Sequence, residues 1–194
     1  MPLVLRPVHH PSFARVTRLA PTLVLLAFSL AACSGAQQAT AEDVTVLDIE
    51  QPPSGPLSDA QLSAIAADIR QLAMHPLAAG AEEGRRHLIG WITGSPDVSV
   101  SVCAGVAGFT GSESRYTPIL LGQFIFASAA HLIENPGSDP VAVNVGGLEG
   151  ALVTYGVLLE QRGNRARDSF MESMAELSES GGLESYVRSG LAEC

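Results

Sequence analysis

Apolar side chains recur every three or four residues from Leu62 to Ala73, the spacing that gives a helix one apolar face. Ser58 lies before this stretch and Gln61 follows Ser58 by three residues, which is the pattern of a capping box at a helix N-terminus. Pro76 disfavours helical backbone at the residue before it. The sequence therefore predicts a helix that begins after Ser58 and ends near His75.

Five further segments have helical patterns bounded by capping or helix-breaking residues. Two of them are long and almost continuously apolar, and the polar residues within them favour buried helices of a bundle over membrane spans. Gly163 predicts the end of one helix, and Asn164 predicts the N-cap of the next. The predicted fold is an all-α compact bundle of about six or seven helices, with further helices over 81–91, 116–133, 141–159, 165–180 and 183–191.

Two segments fit no single pattern. Residues 98–102 alternate Val and Ser as in a strand, whereas Ser95 and Pro96 resemble the start of a helix, and we favour a helix over 98–109. Residues 44–49 alternate too briefly to decide between an edge strand and a segment that docks on a partner.

An internal echo suggests an alternative architecture. The tripeptide His-Leu-Ile occurs at 87–89 and 131–133, and each copy is followed by three valines at alternate positions, in 98–102 and 141–145. The offsets of 44 and 43 residues lie in the range of two-helix solenoid repeats. A short solenoid is therefore the alternative to an ordinary bundle.

The N-terminal region has the parts of a secretory signal. Three arginines, at positions 6, 15 and 18, precede an apolar stretch over 19–30 that is shorter than the roughly 20 residues needed to span a bilayer. The motif Leu30-Ala31-Ala32-Cys33 follows directly. This motif resembles the lipobox of bacterial lipoproteins, and the resemblance implies cleavage before Cys33 and acylation of its thiol.

The resemblance covers the first 33 residues and implies three regions. Residues 1–32 would be a lipoprotein signal peptide, residues 33–56 the lipidated Cys33 and a flexible tether, and residues 57–194 an acidic all-α domain. Ser34 after the cysteine implies an outer-membrane lipoprotein that faces the periplasm. In the alternatives, cleavage after Ala41 releases a soluble periplasmic protein, or Cys33 is an incidental small residue.

The charge of the chain changes sign after the leader. All twenty acidic residues follow Cys33, against eight arginines, which leaves a net charge of −12 on the mature chain. Such a surface repels phosphate, so we expect no nucleic-acid partner. The sequence contains no lysine, which excludes the Walker A motif and Schiff-base chemistry.

Cys103 and Cys194 remain as an even pair once Cys33 carries lipid. A disulfide between them would suit an oxidising compartment and would close a loop of about 90 residues. In the alternative, Cys103 is a small buried apolar residue and Cys194 a free thiol near the chain terminus.

The chain offers little catalytic or metal-binding chemistry. It has no Cys-x-x-Cys, His-Glu-x-x-His or Gly-x-Ser-x-Gly motif. The one combination suited to a metal is His75, His87 and His131 with Glu134. For His131, a role in core packing or at a helix C-terminus is the better explanation. We expect no catalytic residues, no metal and no cofactor.

Four polar residues interrupt the apolar helices. They hydrogen-bond to one another and set the register of the helices, or they line a polar pocket. They are Gln123, His131, Asn144 and Glu149.

Three classes of function follow as hypotheses. The favoured one is a non-catalytic, lipid-anchored periplasmic interaction or scaffold protein with an envelope protein as partner. The second is a carrier of an apolar ligand such as a lipid, since small residues at 146, 147, 150 and 151 leave room between helices. The third is an envelope hydrolase with an acidic pair drawn from Glu134, Glu149 and Glu160.

Lipidation of Cys33 can be tested by the intact mass of the exported protein. We expect an N-terminal Cys33 that carries acyl chains, and an exported Cys33→Ala variant without them, because diacylglycerol transfer needs the thiol. A mature N-terminus at another residue, or an unmodified thiol at position 33, would contradict the anchor.

Overall fold

The computed structural model describes residues 46–111 and 114–194. Six α-helices occupy this part of the chain, so the predicted all-α bundle is confirmed. Two short 3₁₀ turns, Gly108–Gly111 and Gly163–Ala166, accompany them. The helices are α1 (Asp59–Met74), α2 (Ala81–Gly94), α3 (Thr117–Glu134), α4 (Pro140–Arg162), α5 (Ser169–Ser180) and α6 (Leu183–Leu191).

The start of α1 is fixed by the predicted capping box. The Gln61 amide donates to Ser58 Oγ at 3.4 Å, and the Ser58 amide donates to Gln61 Oε1 at 3.0 Å. The predicted end is also confirmed, because the helix stops at His75, whose amide donates to the carbonyl of Gln71. The apolar face is buried along its length, at Ile65, Ala66, Ile69, Leu72 and Ala73.

Helices α3 and α4 form an antiparallel hairpin at the centre of the bundle. Gly146 lies against His131 and Gly150 against Ala127, so residues later on α4 meet residues earlier on α3. A Cβ at Gly147 would lie 2.9 Å from ring atoms of Phe124. These contacts need residues without side chains on α4, because any larger group would separate the two backbones.

Two buried clusters share α3. One contains Leu120 and Phe124 of α3 and packs on α4, α5, α6 and the segment that precedes α3. The other contains Phe126, Ala129 and Ala130 and packs on α1 and α2. Both α3 and α4 are long and apolar enough to span a membrane. Because α3 contributes to both clusters and α4 to the first, core packing accounts for much of that composition.

The predicted helix over 98–109 is wrong. The described chain between α2 and residue 107 contains turns but no helix, and it still buries Val98, Val106 and Ala107 in the two clusters. Its backbone passes so close to α6 that a Cβ on either Gly105 or Gly190 would collide with the carbonyl of the other. Tertiary packing therefore overrides the cap-like Ser-Pro signal.

The internal repeat is also not a structural repeat. Residues 98–102 have no helical backbone, whereas residues 141–145 lie in the first turns of α4. Equal sequence patterns therefore occupy different structures, and the solenoid alternative does not describe this fold.

A disulfide joins Cys103 to Cys194, the two cysteines that the sequence analysis paired. Their Cα atoms are 6.1 Å apart. The bond ties the segment between α2 and α3 to the residues after α6. It therefore reinforces the close passage of Gly105 and Gly190.

The segment before α1 docks on the domain, which differs from the predicted tether over 33–56. The Leu47 amide donates to the carbonyl of Ala79 at 2.8 Å, and Ile49 is buried against α2. Gly84 makes room for the Ile49 side chain, since a Cβ there would lie 2.8 Å from its terminal carbon. Burial of an isoleucine side chain stabilises this docking by about 2 kcal/mol. Residues 33–45 of that predicted region, which include Cys33, and the predicted signal over 1–32 lie outside the described residues.

The cap of α5 corrects a further prediction. Helix α4 ends at Gly163 as predicted, but residues 163–166 form a 3₁₀ turn, and Asn164 accepts a hydrogen bond from Arg167 instead of capping a helix. The N-cap is Asp168, whose carboxylate accepts from the amides of Phe170 and Met171 at 3.0 and 3.1 Å.

The glycine contacts between α3 and α4 give a stability prediction. Gly147→Ala should lower the free energy of unfolding by about 1–3 kcal/mol, because its methyl group overlaps Phe124 and Ser128. Gly156→Ala on the same helix, where a Cβ meets nothing within 4 Å, should raise it by up to about 1 kcal/mol through helix propensity. Urea unfolding of the two variants measures both changes. Equal effects would contradict the proposed packing constraint.

Candidate functional site

A surface groove of about 390 Å³ lies where α1 crosses the α3–α4 hairpin. Ile69, Ala73 and Met74 of α1 form one wall, and Val153 of α4 contributes to the opposite side. Met74 and Val153 are large apolar residues that stay 51% and 46% exposed. We call this feature the central groove. Its edges present apolar surface to solvent.

The groove exists because small residues line its floor. Ala127 and Ala130 of α3 and Gly146 and Gly150 of α4 contribute at most a methyl group each. The residues that let α3 and α4 approach each other therefore also leave the space beneath α1 open. The lining is mainly apolar, which is typical of sites that bind small molecules or partner side chains.

Two side chains hold α1 above this floor. Gln123 of α3 donates through Nε2 to the carbonyl of Ile69 at 3.3 Å, and Thr154 of α4 donates to the carbonyl of Ala73 at 3.2 Å. Gln123 lines the groove although it is only 3% exposed. Its Oε1 accepts no hydrogen bond from any described residue.

Charged groups surround the groove. Arg70 of α1 forms an ion pair with Glu134 of α3, and both side chains are about half exposed. Glu149 of α4 is exposed and forms no ion pair or hydrogen bond within the part of the chain that the structure describes. The Nε2 atom of His131 lies 3.2 Å from Ser138 Oγ. The rim therefore carries one unneutralised carboxylate.

A second depression, also of about 390 Å³, adjoins the groove and shares His131, Gly146 and Glu149 with it. Asp139 and Glu184 add two more carboxylates to its lining. We call it the acidic pocket. It extends the apolar groove into a region of negative charge.

The structure brings together three of the four polar residues proposed from sequence. Gln123, His131 and Glu149 all line the central groove, and Gln123 also bonds to the backbone of α1. Among the described residues, none of the four forms a hydrogen bond to another of them. Asn144 does not line the groove. It is buried, and its Nδ2 donates to the carbonyl of Pro140 at 2.8 Å within its own helix.

Three of the four residues considered for a metal have separate partners. His87 Nδ1 lies 2.8 Å from the carbonyl of Ile49, while His131 contacts Ser138 and Glu134 contacts Arg70. Within residues 46–111 and 114–194, no group of three or more potential metal ligands occurs. Glu160, the third carboxylate considered for hydrolysis, does not line the groove that contains Glu134 and Glu149.

Burial shifts the pKa of several groups away from this site. It raises the pKa of Asp68, Tyr155 and Tyr186 and lowers that of Arg85. The Tyr155 hydroxyl also accepts a hydrogen bond from the Asp168 amide at 3.2 Å, a contact that partly offsets its shift. These shifts reflect core packing, since none of the four residues lines the central groove.

Arg70, Met74, Val153 and Thr154 were not identified from sequence. Each occupies an ordinary position in a helical pattern, and only the crossing of α1 over the hairpin makes them part of one surface. Comparison with protein-family models, with curated proteins and with solved structures finds no match to this chain. The groove and its side chains are therefore the observations that bear on function.

The ion pair at the rim should contribute little to stability. A double-mutant cycle with Arg70→Gln and Glu134→Gln should give a coupling of about 0.2–1 kcal/mol, because both side chains are largely solvated. The exposed pair of Glu184 and Arg188 on α6 serves as a matched comparison. A coupling above about 2 kcal/mol in thermal or urea unfolding would show that the rim is a structural element.

Proposed function

We propose that the protein is a non-catalytic, lipid-anchored interaction protein of the bacterial cell envelope and that the central groove receives its partner. The observation that carries this proposal is the groove itself, an apolar depression whose edges expose Met74 and Val153. Residues that anchor interfaces are large side chains that enter well-packed pockets near the centre of the contact. The groove offers such a pocket to a partner's side chain.

The polar groups in the groove support binding more than catalysis. Glu134 is paired with Arg70, and the Gln123 carboxamide, which is neither an acid nor a base, donates to the backbone of Ile69. Glu149 is exposed and forms no ion pair or hydrogen bond with a described residue. A hydrolase that uses Glu134 and Glu149 is therefore the weaker proposal.

A carrier of an apolar ligand is the second candidate, and one observation favours it. A volume of about 390 Å³ falls within the range of roughly 300–1,000 Å³ typical of ligand pockets. The exposure of Met74 and Val153 argues against it, since a carrier must shield an apolar ligand from water.

The proposal predicts that polar substitutions at the groove edge abolish partner capture. The double variant Met74→Gln and Val153→Gln keeps the charge and the exposed positions but removes apolar contact. We expect the unmodified chain to capture a protein from detergent-solubilised envelopes. Once that protein is purified, we expect it to bind the double variant with an affinity at least tenfold weaker, measured as Kd. Ile89→Gln is the matched control, because Ile89 is 40% exposed on α2 and lines neither groove nor acidic pocket.

Two results would overturn this proposal. Equal affinity of the purified partner for the double variant and the Ile89→Gln control would show that the groove is not the binding surface. A stoichiometric lipid mass bound to the purified protein in native mass spectrometry would favour the carrier instead.

A further inference from the structure

The central groove and the acidic pocket form one continuous surface. They share His131, Gly146 and Glu149, so an occupant of the groove necessarily lies beside the pocket. One part of this surface is apolar and the adjoining part is acidic. Its occupant should therefore combine an apolar group with positive charge.

The charges of this surface are only partly neutralised within the protein. Arg70 pairs with Glu134, and Arg188 pairs with Glu184 at 2.6 Å. Asp139 accepts a hydrogen bond from the Ala142 amide as the N-cap of α4, but it forms no ion pair with a described residue. Glu149 forms none either. Two carboxylates, at 139 and 149, thus remain without a cation.

We propose that the occupant is a basic amphipathic peptide segment of the partner, with an apolar side chain in the central groove and Arg or Lys beside Asp139 and Glu149. This inference rests on the function proposed above and specifies its partner. Charge complementarity selects this class over anionic lipids, whose headgroups the two carboxylates would repel. The net charge of −12 after the leader also attracts a basic segment from a distance.

The test uses the purified anchored protein in nanodiscs of neutral phosphatidylcholine and three fluorescent peptides of equal length. The first is an alanine-based helix with Leu at every third or fourth position and three Arg on the flanking face. The second replaces each Arg with Glu, and the third replaces each Leu with Ala. We expect anisotropy to report binding of the first peptide only, with empty nanodiscs as the blank.

A charge-matched pair of variants locates the cationic contact. Glu149→Gln with Asp139→Asn should weaken the first peptide at least tenfold, and asparagine retains the N-cap of α4. Glu176→Gln with Glu179→Gln removes the same charge from α5, away from the groove, and should change the Kd less than twofold. Raising the salt concentration should weaken binding to the unmodified protein and have a smaller effect with the first double variant.

Three results would overturn the inference. They are failure of the first peptide to bind better than the second, equal loss in both double variants, and a Kd unaffected by Glu149→Gln with Asp139→Asn. A failure of the proposed function gives a different result, because the natural partner would then bind the Met74→Gln and Val153→Gln double variant as well as it binds the unmodified protein. If the affinity of the partner falls with the groove-edge variant but does not change with Glu149→Gln and Asp139→Asn, the inference about charge is wrong and the proposed function stands.

Discussion

The close approach of α3 and α4 is the constraint on which the rest of the structure depends. Three glycines of α4 face side chains of α3, and no larger residue fits there without moving the helices apart. In the resulting hairpin α3 contributes to both apolar clusters, and the hairpin provides the surface that α1 crosses. The same small residues leave the central groove open, so packing and the proposed binding surface have a common origin.

Much of the helical architecture follows from local sequence. The capping box at Ser58, the stop at Pro76 and the turn at Gly163 each act on their own backbone, and the structure places helix ends at or beside them. The segment over 98–109 is different, because its backbone is determined by α6, which lies more than 80 residues further along the chain. No local pattern contains that contact. Asp168 was missed for a related reason, since the intervening 3₁₀ turn moved the cap four residues past Asn164.

The candidate site was predictable in part. Gln123, His131 and Glu149 were predicted because a polar group within an apolar helix usually forms a hydrogen bond or lines a pocket. All three line one groove. Asn144 has the same signal, but its Nδ2 donates to the carbonyl of Pro140, one turn earlier on its own helix, and its buried Oδ1 has no hydrogen-bond partner among the described residues. The pairing of Arg70 with Glu134 could not be foreseen, because it joins two helices whose crossing depends on the whole core.

The disulfide between Cys103 and Cys194 makes the last helix conditional on its surroundings. Helix α6 has nine residues, too few to persist in water by itself, and it stays in place through Leu183, Val187 and the covalent link just beyond its end. In a reducing environment, local opening would begin there and would uncover part of the larger apolar cluster. The closed packing of α6 on the larger cluster thus depends on the oxidised state of Cys103 and Cys194, two residues that lie 91 positions apart in the sequence.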